Sequence, residues 1–485
     1  MREAPDFSRA PSVRARLRGG MAGDARFMLR RALARVRVDA DPAFACALML
    51  LVASVLFGGA SQGNALPLGA VELASLPLLF AAAYRVITRG HPPGARLPLV
   101  LLIGIVMVPL LQLIPLPPQV WIRLPGRDIV AQVMDLTGLG RPALPYSLYP
   151  EATWRSLLAL APPAAMFLGA LQLSGRQKQV MTACWIALGF VSLLIGALQI
   201  SGAPDSPLYF YAITNKGSAV GLFSNRNHQA AFIVSLLPFA AMFTAELKGR
   251  IAAPQALAAL FFPIAIIAIA VIDSRAGVAL LGASLIASLA IVARTGAVGR
   301  RYLLMITVAA IAIGVAGAGL FALGPILERF GGMASSNELR FEGWPIVIKL
   351  AGEYLPFGAG VGAFEPVYRS AEPLTQVTSV YFNHAHNDYL ELWLETGLAG
   401  LILLLTFLGW LVCAIWRAWT APQAEARGAV AHSSSVVILL LLAHSALDYP
   451  LRTEAIAVLF AFACGVMVSQ TVRGGNARGT VGQGV

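Results

Sequence analysis

Long apolar runs separated by short polar connections make up most of this chain. Runs of near-spanning length occupy residues 43–59, 65–87, 97–114, 153–173, 180–201, 228–246, 254–272, 275–294, 302–321, 392–416, 430–447 and 455–470. About 20 residues of helix cross the hydrocarbon of a bilayer. Each run therefore predicts a membrane-spanning helix, with ends fixed only to within a few residues. The runs lack the two-residue alternation of barrel strands, and an open sheet would leave backbone groups unsatisfied in lipid. The pattern predicts an all-α polytopic membrane protein with about 12 transmembrane helices.

The polar stretches divide the chain further. A basic tail spans 1–42, helices one to nine fill 43–321, helices ten to twelve fill 392–470, and a short tail spans 471–485. Between the two helical blocks lies the segment 322–391. It is too polar to span and too long to be an idle connection, so it predicts a large external loop with short helices of its own.

Charge tests this arrangement. With a cytoplasmic N-terminus, the inner segments are 1–42, 84–96, 174–179, 247–253, 294–301, 417–429 and 472–485, and they carry 24 of the 36 Lys and Arg. The longer outer loops carry only 11, and Arg155 sits at the outer start of a span. Short inner loops rich in Lys and Arg are what the positive-inside rule expects. The predicted location is thus the bacterial inner membrane, with both termini cytoplasmic. The arginine-rich start followed directly by an apolar run reads as an uncleaved signal anchor, its tail disordered or lying on the anionic inner leaflet.

Composition changes the picture in one respect. A net charge of +12 and a pI near 10.0 would suggest nucleic acid in a soluble chain. Here hydrophobic residues make up 58%, charged residues 12%, and mean hydropathy is +0.72. The excess charge is a topology signal, and no nucleic-acid partner is expected. Cys46, Cys184, Cys413 and Cys464 all lie in apolar stretches without a Cys-x-x-Cys. They read as small buried hydrophobes, not as a disulfide framework or a zinc site.

Candidate chemistry gathers on the outer side. Loop 115–152 holds Pro115, Pro117, Pro118, Trp121, Tyr146 and Tyr149, and loop 202–227 holds Tyr209, Tyr211, Lys216 and Asn225. His228, His384, His386 and His444 fall on that side, with Arg226, Arg275, Arg340, Asp388 and Asp448. Polar groups at one face of an apolar bundle predict a single interfacial site. The strongest local signal is Asn383-His384-Ala385-His386-Asn387-Asp388-Tyr389-Leu390-Glu391. Asp388 and Glu391 have capping-box spacing, so helix capping is one reading of these acids. The His-x-His pair reads either as metal ligands or as a source of a general base, since a histidine near its ordinary pKa of about 6.5 is ready to take a proton. No further ligand stands at the spacing of a recognised metal motif, so no metal and no cofactor are predicted.

Other motifs are read the same way. In Asp273-Ser274-Arg275-Ala276-Gly277 the arginine is an interfacial anchor or a fork for phosphate. Arg340, one turn before Trp344 in a short helix that Pro345 kinks or ends, is a solvated charge or a second anion contact. Gly358, Gly360 and Gly362 read as a tight backbone turn, not a nucleotide loop. His444 and Asp448, four residues apart, would share a helix face as a structural pair or as part of the site. Glu72 lies inside a span, as a proton relay or as an acid satisfied by neighbouring helices. There is no Gly-x-Ser-x-Gly elbow, no Walker loop and no Asp-x-Asp in the outer loops.

Taken in order, these motifs resemble the O-antigen ligase and polymerase superfamily over about residues 200–450. The resemblance runs through Phe223-Ser224-Asn225-Arg226-Asn227-His228, Asp273 to Gly277, Arg340 with Trp344, and the Gly358–Gly362 turn with Phe364. It continues through His386 to Glu391 into Glu395-Thr396-Gly397-Leu398-Ala399-Gly400, with His444 and Asp448 beyond. It implies a GT-C-like membrane glycosyltransferase that is metal-independent and inverting. The implied donor is a glycan on undecaprenyl diphosphate at the periplasmic face. The acceptor is a sugar hydroxyl, on lipid A-core for a ligase or on another lipid-linked glycan for a polymerase, in lipopolysaccharide or exopolysaccharide biosynthesis. A chain-length regulator or flippase is a possible partner. On that reading His386 is the base, Arg275 and Arg340 clamp the diphosphate, and Asn225, His228, His384, Asp388, His444 and Asp448 orient substrate or support the site. Two other classes stay open from sequence: a transporter or flippase of lipid-linked glycans, for which Glu72 would carry protons, and a non-catalytic assembly protein.

Overall fold

The computed structural model describes residues 41–61, 65–245, 253–294, 312, 336–374, 377, 382–420 and 428–470. The first block contains helices α1 (Pro42–Phe57), α2 (Ala65–Arg89) and α3 (Arg96–Gln112). Next come short helices α4 (Pro118–Trp121) and α5 (Asp128–Thr137), then α6 (Pro150–Leu158), α7 (Ala161–Ala170) and α8 (Gly175–Ser201). Helices α9 (Arg226–Ala245), α10 (Ala253–Ile272) and α11 (Arg275–Ala293) follow. Then come α12 (Ser336–Glu353), α13 (Phe364–Ala371), α14 (Asp388–Thr420), α15 (Gly428–Ser445), a 3-10 turn at Pro450–Arg452, and α16 (Glu454–Gln470). Strands β1 (Pro115–Leu116) and β2 (Leu144–Pro145) pair antiparallel at the foot of the 115–152 loop.

Helices α1 to α3, α6 to α11 and α14 to α16 fall on the apolar runs, while α4, α5, α12 and α13 lie in the polar segments between them. Five described helices are long and apolar enough to cross a membrane: Ala65–Arg89, Gly175–Ser201, Gln255–Ile272, Arg275–Ala293 and Asp388–Thr420. Pro42–Phe57, Arg96–Gln112, Ala429–Ser445 and Glu454–Ser469 are shorter apolar helices. The run 302–321 lies outside the described residues apart from residue 312, as do both tails. The run 153–173, expected as one helix, is two: the helix breaks between Leu158 and Ala161, before Pro162-Pro163. Prolines in a row remove successive backbone donors and open the preceding turn. Helices α12 and α13 lie within residues 322–391.

Burial sorts the helices into a centre and a rim. Residues 228–243 of α9 are all buried, and α16 is buried along nearly its whole length. A helix apolar on all sides belongs in the interior of a bundle. The rim helix α2 instead shows Leu66, Leu73, Phe80 and Ile87 exposed at seven-residue spacing. Such a stripe suits hydrocarbon rather than water. Glu72 is half-buried on the same helix, with Glu454 at the start of α16 as an electrostatic neighbour.

Polar contacts collect at the two ends of the bundle. At one end Arg85 donates to Asp41 at 3.0 Å, Lys178 to Ser469 at 2.5 Å, and Trp419 to Ser435 at 3.0 Å. At the other end the Ser224 amide donates to Gly59 O at 3.1 Å and the Ala455 amide to Gly58 O at 3.0 Å. The C-terminal end of α1 is thereby tied to the connection before α9 and to the start of α16. All sequence-selected site residues whose side chains are described belong to this second end.

Candidate active site

The site begins with a helix that is broken on purpose of packing. Within α14, Gly397 has φ 57° and ψ −139°, a backbone state open in practice only to glycine. The break frees the carbonyls of Leu394 and Glu395, which accept the amides of Ala359 at 2.8 Å and Gly360 at 3.0 Å. In return the Leu398 amide donates to Pro356 O at 2.8 Å. Gly358, Gly360 and Gly362, with φ of 84°, 110° and 83°, form the turn that fits this gap. A Cβ on Gly397 would overlap the Pro356 carbonyl and the Gly358 backbone. Gln112, at the end of α3, holds the pair together: its amide donates to Glu395 O at 3.0 Å and its carbonyl accepts the Val361 amide at 2.8 Å.

The short segment of α14 before the break presents acids inward. Asp388 and Glu391 do not form the capping box that their spacing predicts. The cap is Asn387, whose Oδ1 accepts the amides of Tyr389 at 3.0 Å and Leu390 at 3.1 Å. Asp388 instead accepts from Ser445 Oγ at 2.8 Å. Glu391 lies 2.7 Å from His384 Nδ1 and accepts the Ala385 amide at 2.8 Å. Glu395 accepts the Gly362 amide at 2.9 Å. These carboxylates face the guanidinium of Arg452, which is 2.9 Å from Glu395, 3.2 Å from Glu391 and 3.6 Å from Asp388. Burial opposes the charge of Arg452, but the carboxylates of Glu391, Glu395 and Asp388 outweigh it and raise its pKa further. Arg452 is thus a fixed cation that neutralises the acids holding His384 and the glycine turn.

His386 stands beside this hub. Its Nδ1 is 3.0 Å from Asp448 Oδ1, with the carboxylate fully buried and the ring 13% exposed. With the Nδ1 proton given to Asp448, Nε2 carries the lone pair. His386 has φ 49°, a left-handed backbone state rare outside glycine. Among the described residues Asp273, φ 55°, is the other non-glycine in that region, and it also belongs to the site. Such outliers persist where surrounding contacts over-determine them. Here the Trp344 indole donates to Ala385 O at 2.9 Å, tying α12 to the His-x-His segment.

Asp448 also joins the other motifs. Its Oδ2 accepts from Asn227 Nδ2 at 2.6 Å, and Asn227 Oδ1 accepts from Ser274 Oγ at 2.9 Å. Ser274 caps α11, so Arg275 begins a helix at the end of this chain of bonds, while Asn227 sits in the first turn of α9. The two helix N-termini adjoin at the site. Arg226 pairs with Asp273 at 3.1 Å. Asn225 turns the chain into α9 by accepting the Asn227 amide at 2.8 Å. α15 ends at Ser445, yet the Asp448 amide still donates to His444 O at 3.0 Å, the bond of one further helical turn, while the Asp448 carboxylate turns to His386. Tyr449 packs its ring against His384 at 4.3 Å and against His386 and His228 at 4.9 Å each. Both nitrogens of buried His228 lack a hydrogen-bond partner among the described residues.

The structure thus brings His228, His384, His386, Asp388, Asp448 and the backbone at Arg275 together, with Asn225 and His444 on the flanks. Arg340 lies on α12, and its side chain is outside the described residues. Sequence reading missed Arg452, Tyr449 and the pairing role of Asn227. One signal for Arg452 was available: Asp388, Glu391 and Glu395 recur at helical spacing in an apolar chain, and such acids require a cation close by. Among the described residues no group of three His, Cys, Asp or Glu is arranged to hold a metal ion.

A direct comparison with known families covers part of this stretch. Residues 257–405 match the family model for O-antigen ligase. This region belongs to the O-antigen ligase superfamily. No curated protein matches the chain. The O-antigen ligase match runs from α10 into α14, so it contains Arg275, Arg340, the glycine turn and His386. Asn227, Asp448, Tyr449 and Arg452 lie outside it and reach the same site through contacts. The match points to a membrane enzyme of the O-antigen ligase and polymerase type, working on lipid-linked glycans.

Proposed function

We propose that the chain transfers a glycan from undecaprenyl diphosphate to a sugar hydroxyl at the periplasmic face of the bacterial inner membrane. The observation that carries this reading is the His386–Asp448 pair, set beside the start of α11 at Arg275. Asp448 orients the imidazole and stabilises the imidazolium that forms when Nε2 takes the acceptor proton. The deprotonated oxygen attacks the anomeric carbon from the side opposite the diphosphate, which inverts the configuration. Diphosphate is a good leaving group, so the main demand is stabilisation of the charge growing on it. Arg275 and Arg340 supply that charge, aided by the adjoining N-termini of α9 and α11. His384, His228 and Asn225 shape the pocket around the base. No step in this scheme draws on a nucleotide or a metal.

The polar cluster lies at an end of the bundle, whereas transporter sites lie near the midplane. The gathering of acids, histidines and arginine at one mouth therefore favours group transfer over transport or a passive assembly role. Ligase and polymerase differ in acceptor and in partners: lipid A-core for one, a second lipid-linked glycan with a chain-length regulator and flippase for the other.

The test is transfer by the purified full chain in nanodiscs, given a polyprenyl-diphosphate-linked glycan and each acceptor in turn, without nucleotide. Product is expected with one acceptor. Replacing His386 by Ala should lower the rate by about 10²–10⁴-fold without changing elution or helicity. Wild-type activity in that variant would remove His386 as the base.

A further inference from the structure

The loop between α8 and α9 borders an open cleft of about 290 Å³ lined by Asp205, Ser206, Tyr209, Phe210, Tyr211 and Lys216 among others. We propose that this cleft is a saccharide subsite, holding a sugar of the glycan substrate away from the reacting bond. The inference rests on the glycan-transfer reading above and extends it to a place and a ligand class.

The walls are prepared for such a ligand. The Tyr209 hydroxyl accepts the Gly217 amide at 2.9 Å and donates to Ser218 O at 3.2 Å. The Tyr211 hydroxyl accepts the Gly59 amide at 3.0 Å and donates to Leu222 O at 3.3 Å. Burial pushes the Tyr211 pKa up to about 12, so it stays a neutral phenol at both bonds. With their hydroxyls committed to backbone, the two rings are fixed in place rather than mobile. Phe210 between them is 51% exposed and presents an open apolar ring face to the cleft.

The polar lining decides the ligand class. Lys216 Nζ is 3.1 Å from Asp205 Oδ1, and both side chains are open to solvent at 52% and 90%. The pair leaves the cleft without net charge, so a diphosphate gains little there, and a lipid tail would leave both charges unsolvated. A sugar ring has an apolar C–H face and a rim of hydroxyls. It can lie on an aromatic wall while its rim meets a carboxylate, an ammonium and Ser206. The volume, about 290 Å³, falls just short of the usual range for small-molecule sites, about 300 Å³ upward, as suits a single sugar ring.

The cleft is also tied to the site. Asn215, next to Lys216, accepts the Arg226 amide at 3.0 Å, and its own amide donates to Ser224 O at 3.1 Å. From there Asn227 leads to Asp448 and His386. A continuous chain of hydrogen bonds thus fixes the cleft's loop relative to the histidine.

The test compares wild type with Phe210→Ala and with the double variant Asp205→Ala, Lys216→Ala, all in nanodiscs. The residues changed are exposed, so elution and helicity should be those of wild type. KM is measured separately for donor and acceptor glycans of one sugar and of several. The expected result is a rise in KM of about tenfold for the longer form of one substrate, with kcat at saturation and the one-sugar form unaffected. A shift confined to donor glycans assigns the subsite to the donor, and one confined to acceptor glycans assigns it to the acceptor. Unchanged KM for both, or a fall in kcat that is independent of length, overturns the proposal. Binding of the delipidated oligosaccharide, followed by saturation-transfer NMR, reads the cleft without any transfer. If wild type binds it and the variants do not, the cleft stands even where transfer fails; if all bind equally, the cleft is refuted even where transfer succeeds.

Discussion

Asp448 has one carboxylate oxygen on His386 and the other on Asn227, so its charge and its geometry can be separated by mutation. Asp448→Asn keeps the volume and removes the charge. Transfer is expected to fall by about 10²-fold or more. A neighbouring carboxylate raises a histidine pKa, so its loss lowers that of His386. The acid limb of the kcat profile should therefore move to lower pH in the surviving activity. A purely structural Asp448 would lower the yield of folded protein and leave the limb where it was. At this scale the sequence exposed the polar residues because an apolar chain makes each of them conspicuous. It could not pair them correctly. His444 and Asp448 are four apart, and the spacing does bring the Asp448 amide onto His444 O, but it says nothing of where the carboxylate turns. The true partner of Asp448 is His386, 62 residues earlier, and no local rule reaches that far.

At the scale of elements, the apolar runs gave the helices their positions because lipid demands length and uniform hydrophobicity. What breaks helices was less visible. Pro162-Pro163 divides a run that hydropathy alone reads as continuous, and Gly397 opens α14 where the glycine turn docks. Gly397→Ala should destabilise the protein by about 1–3 kcal/mol, because the backbone state is closed to alanine and its Cβ meets Pro356 O. A lowered melting temperature in detergent would register it, and an unchanged one would show the break to be incidental. Arg452 is expected to matter more. Arg452→Gln leaves Asp388, Glu391 and Glu395 facing one another without a cation, a loss of about 3–5 kcal/mol. Lysine should restore only part of it, since a point charge cannot reach the carboxylates as the planar fork does. Equal stability of the Lys and wild-type proteins would contradict the hub.

For the whole molecule, the decisive arrangement is the segregation of polar contacts to opposite ends of the bundle. Asp205 and His386 share one end, and Arg85 and Trp419 the other. In a cysteine-free background, a cysteine at Asp205 should react with a membrane-impermeant maleimide in cells with a permeabilised outer membrane. One at Arg417 should react only after lysis. The reverse result would invert the topology and put the cluster in the cytoplasm.

The histidine and its carboxylate stand on opposite sides of the α14–α15 connection, and only His386 falls within residues 257–405. Transplanting that stretch into another scaffold would carry the imidazole but leave its orienting partner behind. A chimera becomes a working unit only if the crossover is moved past Arg452, so that inheritance of the base and of its anchor is not divided.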